Sequence, residues 1–100
     1  MDTFDQARAK MVYEQDELVR HLAECTGKEI YESAFTIATY SKIFNILYHN
    51  EIKCNYLADL ILCNDNLVGM LTADYVNEGF NGYTRLTEFL KNKIAELHPV

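Results

Sequence analysis

The chain has no tryptophan, one proline, four glycines and three cysteines among its 100 residues. So little proline and glycine, beside 49% hydrophobic residues, excludes a disordered linker and a low-complexity segment. The cysteines are Cys25, Cys54 and Cys63, an odd number with no C-x-x-C pair. That excludes a disulfide framework and predicts buried free thiols. No apolar run reaches the about 20 residues that span a bilayer. The start, Met1-Asp2-Thr3-Phe4-Asp5, lacks the basic opening of a secretory signal. A cytoplasmic location without membrane association is the expectation. The most localised absence is of basic residues: no Lys or Arg occurs between residues 54 and 84. Asp59, Asp65, Asp74 and Glu78 lie in that stretch, and the whole chain carries a net charge of −6. Nucleic acid would be repelled there, because its affinity comes from Lys and Arg that displace phosphate counterions. A basic protein surface would be attracted.

What is present is helical periodicity. Phe4, Ala7, Met11, Leu18, Leu22 and Cys25 form one stripe, widened by Val12 and Val19. They predict a helix over residues 3–25, opened by a capping-box spacing between Thr3 and Gln6. Ile30, Ala34, Ile37, Ala38, Phe44, Leu47 and Tyr48 predict a second long helix over residues 28–49, so that the first two helices form an antiparallel hairpin. Three shorter helices follow. Tyr56, Leu57, Leu60 and Ile61 mark the third, which ends near residues 64–66. Asp65 or Asn66 caps the fourth, whose inward face uses Leu67, Met70, Leu71 and Tyr75. Gly79 and Asn81-Gly82 break the pattern. The last helix starts near Thr84, buries Leu86, Phe89, Leu90, Ile94 and Leu97, and is stopped by His98-Pro99. The expected fold is all-α, a compact bundle of about five helices forming a single domain over residues 1–100.

Thr26-Gly27-Lys28-Glu29 joins the two long helices. A phosphate-binding loop needs glycine five residues before the Gly-Lys pair and Ser or Thr directly after it. Leu22 and Glu29 stand there instead, and no strand precedes. The stretch therefore reads as a corner. Gly27 suits a left-handed helix end, and Thr26 with Glu29 suits a capping box for the next helix; the two details compete.

Other chemistry is sparse. Glu17, His21 and Cys25 are four residues apart and could share one helix face as a partial metal site, but no paired ligand motif completes it. His49 with Cys54 or Cys63 makes a nucleophilic dyad only if the fold joins them. Residues 54–73 have small and apolar residues (Ala58, Ile61, Val68, Leu71) at helix-turn-helix positions. However, Leu62 replaces the turn glycine, and residues 66–73 carry no basic side chain to approach phosphates. Tyr31, Tyr40, Tyr48 and Tyr56, spaced by eight or nine residues, drift around a helix axis, so some lie at the margin of the bundle. Neither catalytic residues nor a cofactor or metal emerge, and a non-enzyme is expected.

Residues 29–37 (EIYESAFTI), 42–47 (KIFNIL) and 67–75 (LVGMLTADY) resemble a family of small helical proteins of mobile elements in gram-positive gut bacteria. That resemblance implies no catalytic residues. It implies a setting in which small acidic proteins regulate or inhibit host defence, as anti-CRISPR proteins do. The combined expectation is a non-catalytic acidic module that binds a protein partner. Asp59, Asp65, Asp74 and Glu78, with Tyr56 and Tyr75, would enter a basic groove of a nucleic-acid-handling enzyme. The alternative is a homodimeric structural or regulatory protein paired through its first helix.

Overall fold

The computed structural model describes residues 2–80 and 82–98, which contain six α-helices and no strand. They are α1 (Thr3–Ala23), α2 (Gly27–Glu32), α3 (Ala34–Tyr48), α4 (Leu57–Cys63), α5 (Leu67–Asn77) and α6 (Leu86–Glu96). The all-α expectation holds, with six helices rather than five. The expected second helix divides at Ser33, whose backbone sits at φ −97°, ψ 8°. Its N–H is shared between the carbonyls of Glu29 (3.1 Å) and Ile30 (3.2 Å), and its own carbonyl accepts from Ile37 N–H at 2.9 Å. The junction is thus a tightened turn within one nearly continuous rod.

The helical hairpin is also corrected. α1 packs chiefly against α4, and α3 against α5, with few contacts between α1 and α3. Burial explains the choice. α1 buries only Ala7 and Met11, both in its first half. They join a core formed by Ile43 and Leu47 of α3, Leu57 and Ile61 of α4, Val68 and Leu71 of α5, and Leu90 and Ile94 of α6. Fully burying each such side chain contributes about 1.5–3 kcal/mol, so the chain gathers wherever these faces meet.

Helix ends follow local chemistry. Asp2, not Thr3, caps α1: its backbone is extended and its carboxylate accepts from Phe4 N–H at 3.0 Å, leaving Thr3 already helical. At the corner, the capping box wins over the left-handed glycine. Thr26 Oγ1 accepts from Glu29 N–H (3.2 Å), and Glu29 Oε1 accepts from Thr26 N–H (2.8 Å). Gly27 is the first residue of α2 and lacks positive φ. The left-handed residues are Asn50, Lys53, Asn66, Gly79 and Gly82. Asn66 caps α5 from φ 52°, its Oδ1 accepting from Gly69 N–H at 3.1 Å. A Cβ on Gly69 would run into that Asn66 side chain, so a larger residue here must displace the cap.

The connection between α4 and α5 is also tied to α1. Lys10 Nζ donates to Glu14 Oε2 (2.7 Å) and to the Asn64 carbonyl (2.6 Å). Asn66 N–H donates to the same carboxylate oxygen at 2.6 Å. Both side chains are mostly buried, 24% and 15% exposed, so these charge-assisted bonds are weakly screened. Arg8 makes a second tie, donating to the Tyr48 carbonyl at 2.9 Å while lying over the Phe4 and Tyr48 rings.

Several expected core positions lie outside the core. Ile30 is 39% exposed, Ala34 and Ala38 are exposed, and Met70 is 36% exposed. Residues 26–36 are exposed throughout. α2 makes substantial contact only with α3, so it has no surface to bury against. The thiols differ from expectation too: Cys25 and Cys54 are half-buried and Cys63 is exposed. Leu86, Phe89, Leu90 and Ile94 of α6 are buried as expected. The expected breaker Asn81 and terminator Pro99 lie outside the described residues.

Candidate functional site

The residues between 54 and 84 become α4, α5 and their flanking turns. Asp59 is in the first turn of α4, Asp65 in the connection, and Asp74 and Glu78 lie four residues apart at the end of α5. Asp59, Asp65 and Glu78 are exposed and Asp74 is half-buried. Among the described residues none of the four is bridged to a Lys or Arg. Asp5, Glu14, Glu17, Glu32 and Glu96 have such a partner, while Asp16, Glu24, Glu51 and Glu88 elsewhere in the chain also lack one. The bridged acids lie on α1, α2 and α6, which supply the partner from their own helix three or four residues away. α4 and α5 have no basic residue to supply.

The two tyrosines assigned to this surface separate. Tyr56 is half-buried, donates to the Ile94 carbonyl at 3.3 Å and meets the His98 ring edge-on. Burial pushes its phenol up, with Cys54 adding to the shift. Tyr75 is only 1% exposed, which removes it from any contact surface. It stacks on Phe80, meets Phe89 edge-on and donates to the Gly82 carbonyl at 2.6 Å. Its position on the apolar stripe of α5 decided its direction, and its acidic neighbours in sequence did not.

Other candidates do not assemble. Among the described residues no three His, Cys, Asp or Glu side chains gather in a metal-holding arrangement. The Cys25 thiol instead donates to the His21 carbonyl at 3.4 Å. The His49 ring packs edge-on against Tyr48, and among the described residues no hydrogen bond joins it to Cys54 or Cys63. No helix among the described residues is long and apolar enough to cross a membrane.

The structure also brings together residues that the sequence left unconnected. The second half of α1 and the first half of α3 stand apart over α5, leaving an open cleft of about 360 Å³. Glu14, Glu17, Leu18 and His21 line it from α1, and Thr36 and Tyr40 from α3. Asn66, Gly69, Thr72 and Ala73 form the α5 side, where small residues leave the space unfilled. No Lys or Arg lines it. Tyr40 is 6% exposed, and its hydroxyl is buried without a hydrogen-bond partner among the described residues. Burial, and secondarily the Glu14 carboxylate, pushes that phenol up. Hydrogen bonds from the Thr26 backbone and hydroxyl hold Glu29 below the usual carboxylate range, with the nearby His21 lowering it further.

Comparisons with protein-family models, with curated proteins and with solved structures give no match.

Proposed function

We propose that this protein is a non-catalytic acidic module that works by binding a basic surface of another protein. The observation that carries the reading is that Asp59, Asp65, Asp74 and Glu78, on α4, α5 and their connection, lie in a stretch without Lys or Arg and form no ion pair among the described residues. Exposed charge of one sign contributes more to encounter rate and partner choice than to intrinsic affinity. A groove built for nucleic acid is the kind of surface such carboxylates fit, since they would stand where phosphates stand. The resemblance to proteins of mobile elements makes an inhibitor or regulator of a nucleic-acid-handling enzyme the finer form of this proposal.

The test begins with capture of a partner from source cells, followed by affinity measurements on the purified pair. Changing Asp59, Asp65 and Glu78 together to Lys should slow association, and wild-type binding should weaken steeply as salt rises. Unchanged affinity of the triple variant at low salt would contradict the proposal.

A second reading, the homodimer, draws on the exposed apolar residues Val12, Tyr13 and Val19 of α1 and Ile30 and Tyr31 of α2. Light scattering at high concentration tests it directly, and a strict monomer rules it out.

A further inference from the structure

We infer that the cleft between α1 and α3 is the seat for an amphipathic basic helix of the protein partner, an inference that rests on the acidic-module reading above. Three features select that occupant. The cleft has apolar walls in Leu18, the Tyr40 ring and Ala73, and a floor of small residues, so an aliphatic side chain can enter it. Its charged lining is acidic, with Glu14 and Glu17 present and no Lys or Arg. Glu14 is already engaged by Lys10 and Asn66 N–H. Glu17 is 52% exposed and has only a 3.3 Å contact with Arg20, so an incoming cation can take it over. The third feature is the Tyr40 hydroxyl, a polar group shut from solvent without a partner. A polar group of an occupant seated against Tyr40 would give it one. Buried polar groups are seldom left unpaired in folded proteins, and functional sites are where exceptions gather.

The charge of the cleft argues against a second copy of the chain, since the molecule carries −6 overall. The cleft lining also adjoins two of those carboxylates in sequence. Asp65 and Asp74 immediately flank, in sequence, the segment from Asn66 to Ala73 whose residues line it. A basic helix drawn in by the carboxylates thus meets an apolar anchor point beside them. Paired steering and anchoring of this kind concentrates affinity in a few central contacts.

The probe is a synthetic Leu/Lys peptide with one apolar and one basic helical face and a single tryptophan on the apolar face. The protein has no tryptophan, so the emission reports the peptide alone. Wild-type protein should bind it saturably with a blue shift, and a Ser/Lys peptide of equal charge should bind much more weakly. Ala73→Phe and, independently, Thr36→Phe fill the cleft from its α5 and α3 sides at exposed positions, and each should weaken binding about tenfold or more. Tyr40→Phe, which keeps the ring, should weaken it several-fold. If both filled variants bind like wild type while Asp59, Asp65 and Glu78 changed together to Asn reduce binding, the cleft assignment falls and the acidic surface stands alone. Absence of any binding of the Leu/Lys peptide to wild type overturns the cleft assignment as well. A dimer of the protein alone that Ala73→Phe abolishes would put a second copy in the cleft and overturn it too.

Discussion

The two parts of the α2–α3 rod carry similar apolar periodicity and meet opposite fates. From Thr39 onward α3 buries Thr39, Tyr40, Ile43, Phe44 and Leu47, whereas α2 buries none of its residues. Ile30, Tyr31 and Phe35 have the helical spacing of a core stripe, yet are 39%, 83% and 39% exposed. What separates the halves is what lies opposite. α5 packs against the second half, whereas the first has little beyond the stacking of Phe35 on the Tyr83 ring. Periodicity states which face of a helix is apolar; only topology states whether that face is covered. The molecule accordingly has a closed end, where α4, α5 and α6 hold the fold, and an open end made of the second half of α1, α2 and the start of α3. The radius of gyration, 13.8 Å, is slightly above the about 13 Å of a compact domain of this length, in keeping with that projection.

Substitutions should divide along this boundary. The largest effect belongs to the closed end: Leu71→Ala, at a site with no exposure, should cost about 2–5 kcal/mol in urea denaturation. Gly69→Ala should follow, losing about 1–3 kcal/mol, because the new Cβ meets the Asn66 side chain that caps α5. A loss that Asn66→Gly in the same chain relieves would locate the cause in that contact. Thr26→Ala removes the cap of α2 and should cost about 1 kcal/mol or less, with faster amide exchange confined to α2. Tyr40→Phe should raise stability by up to about 1 kcal/mol, since it removes a buried hydroxyl with no partner. Ile30→Ala should change stability by no more than about 0.5 kcal/mol. An Ile30 cost as large as that of Leu71 would erase the distinction between the ends.

Stability should also depend on pH through the buried phenols. Burial raises the pKa of Tyr40 and Tyr75 in the folded chain, so the folded state holds these protons more tightly than the unfolded state. The resulting stabilisation is fully present below the unfolded value of about 10 and is lost as pH rises through the raised folded values. Urea midpoints measured across that alkaline range should fall, and less so in Tyr40→Phe. Glu29 acts in the opposite sense: its lowered pKa gives a contribution present above the ordinary carboxylate value and lost as pH falls through the folded one.

Much of the closed end is legible in the sequence. Leu86, Phe89, Leu90 and Ile94 point inward as their spacing requires, and Thr26 with Glu29 marks the start of α2. The break at Ser33 is not legible, because a serine within good helical periodicity gives no sign of a bridge-region backbone. Tyr75 was assignable to the core by stripe and to the surface by charged neighbours, and the aromatic cluster around it decides for the core. The acidic stretch is half legible. The absence of Lys and Arg from 54 to 84 is plain in the sequence, but the lack of any bridge from elsewhere depends on three-dimensional placement. The cleft was hidden. Leu18, Tyr40 and Ala73 come from three distant segments, and Gly69 gains its meaning only from the left-handed Asn66.

Native-state hydrogen exchange, on the free protein and with the Leu/Lys peptide, tests the two-ended account most directly. In the free protein, amides of α2 and the first turn of α3 should exchange through local openings far faster than those of α4 and α5. On peptide binding, protection should rise at the second half of α1, at α2 and at the start of α3. Free-state protection of α2 equal to that of α5, or binding that leaves the open end unchanged, would contradict the account.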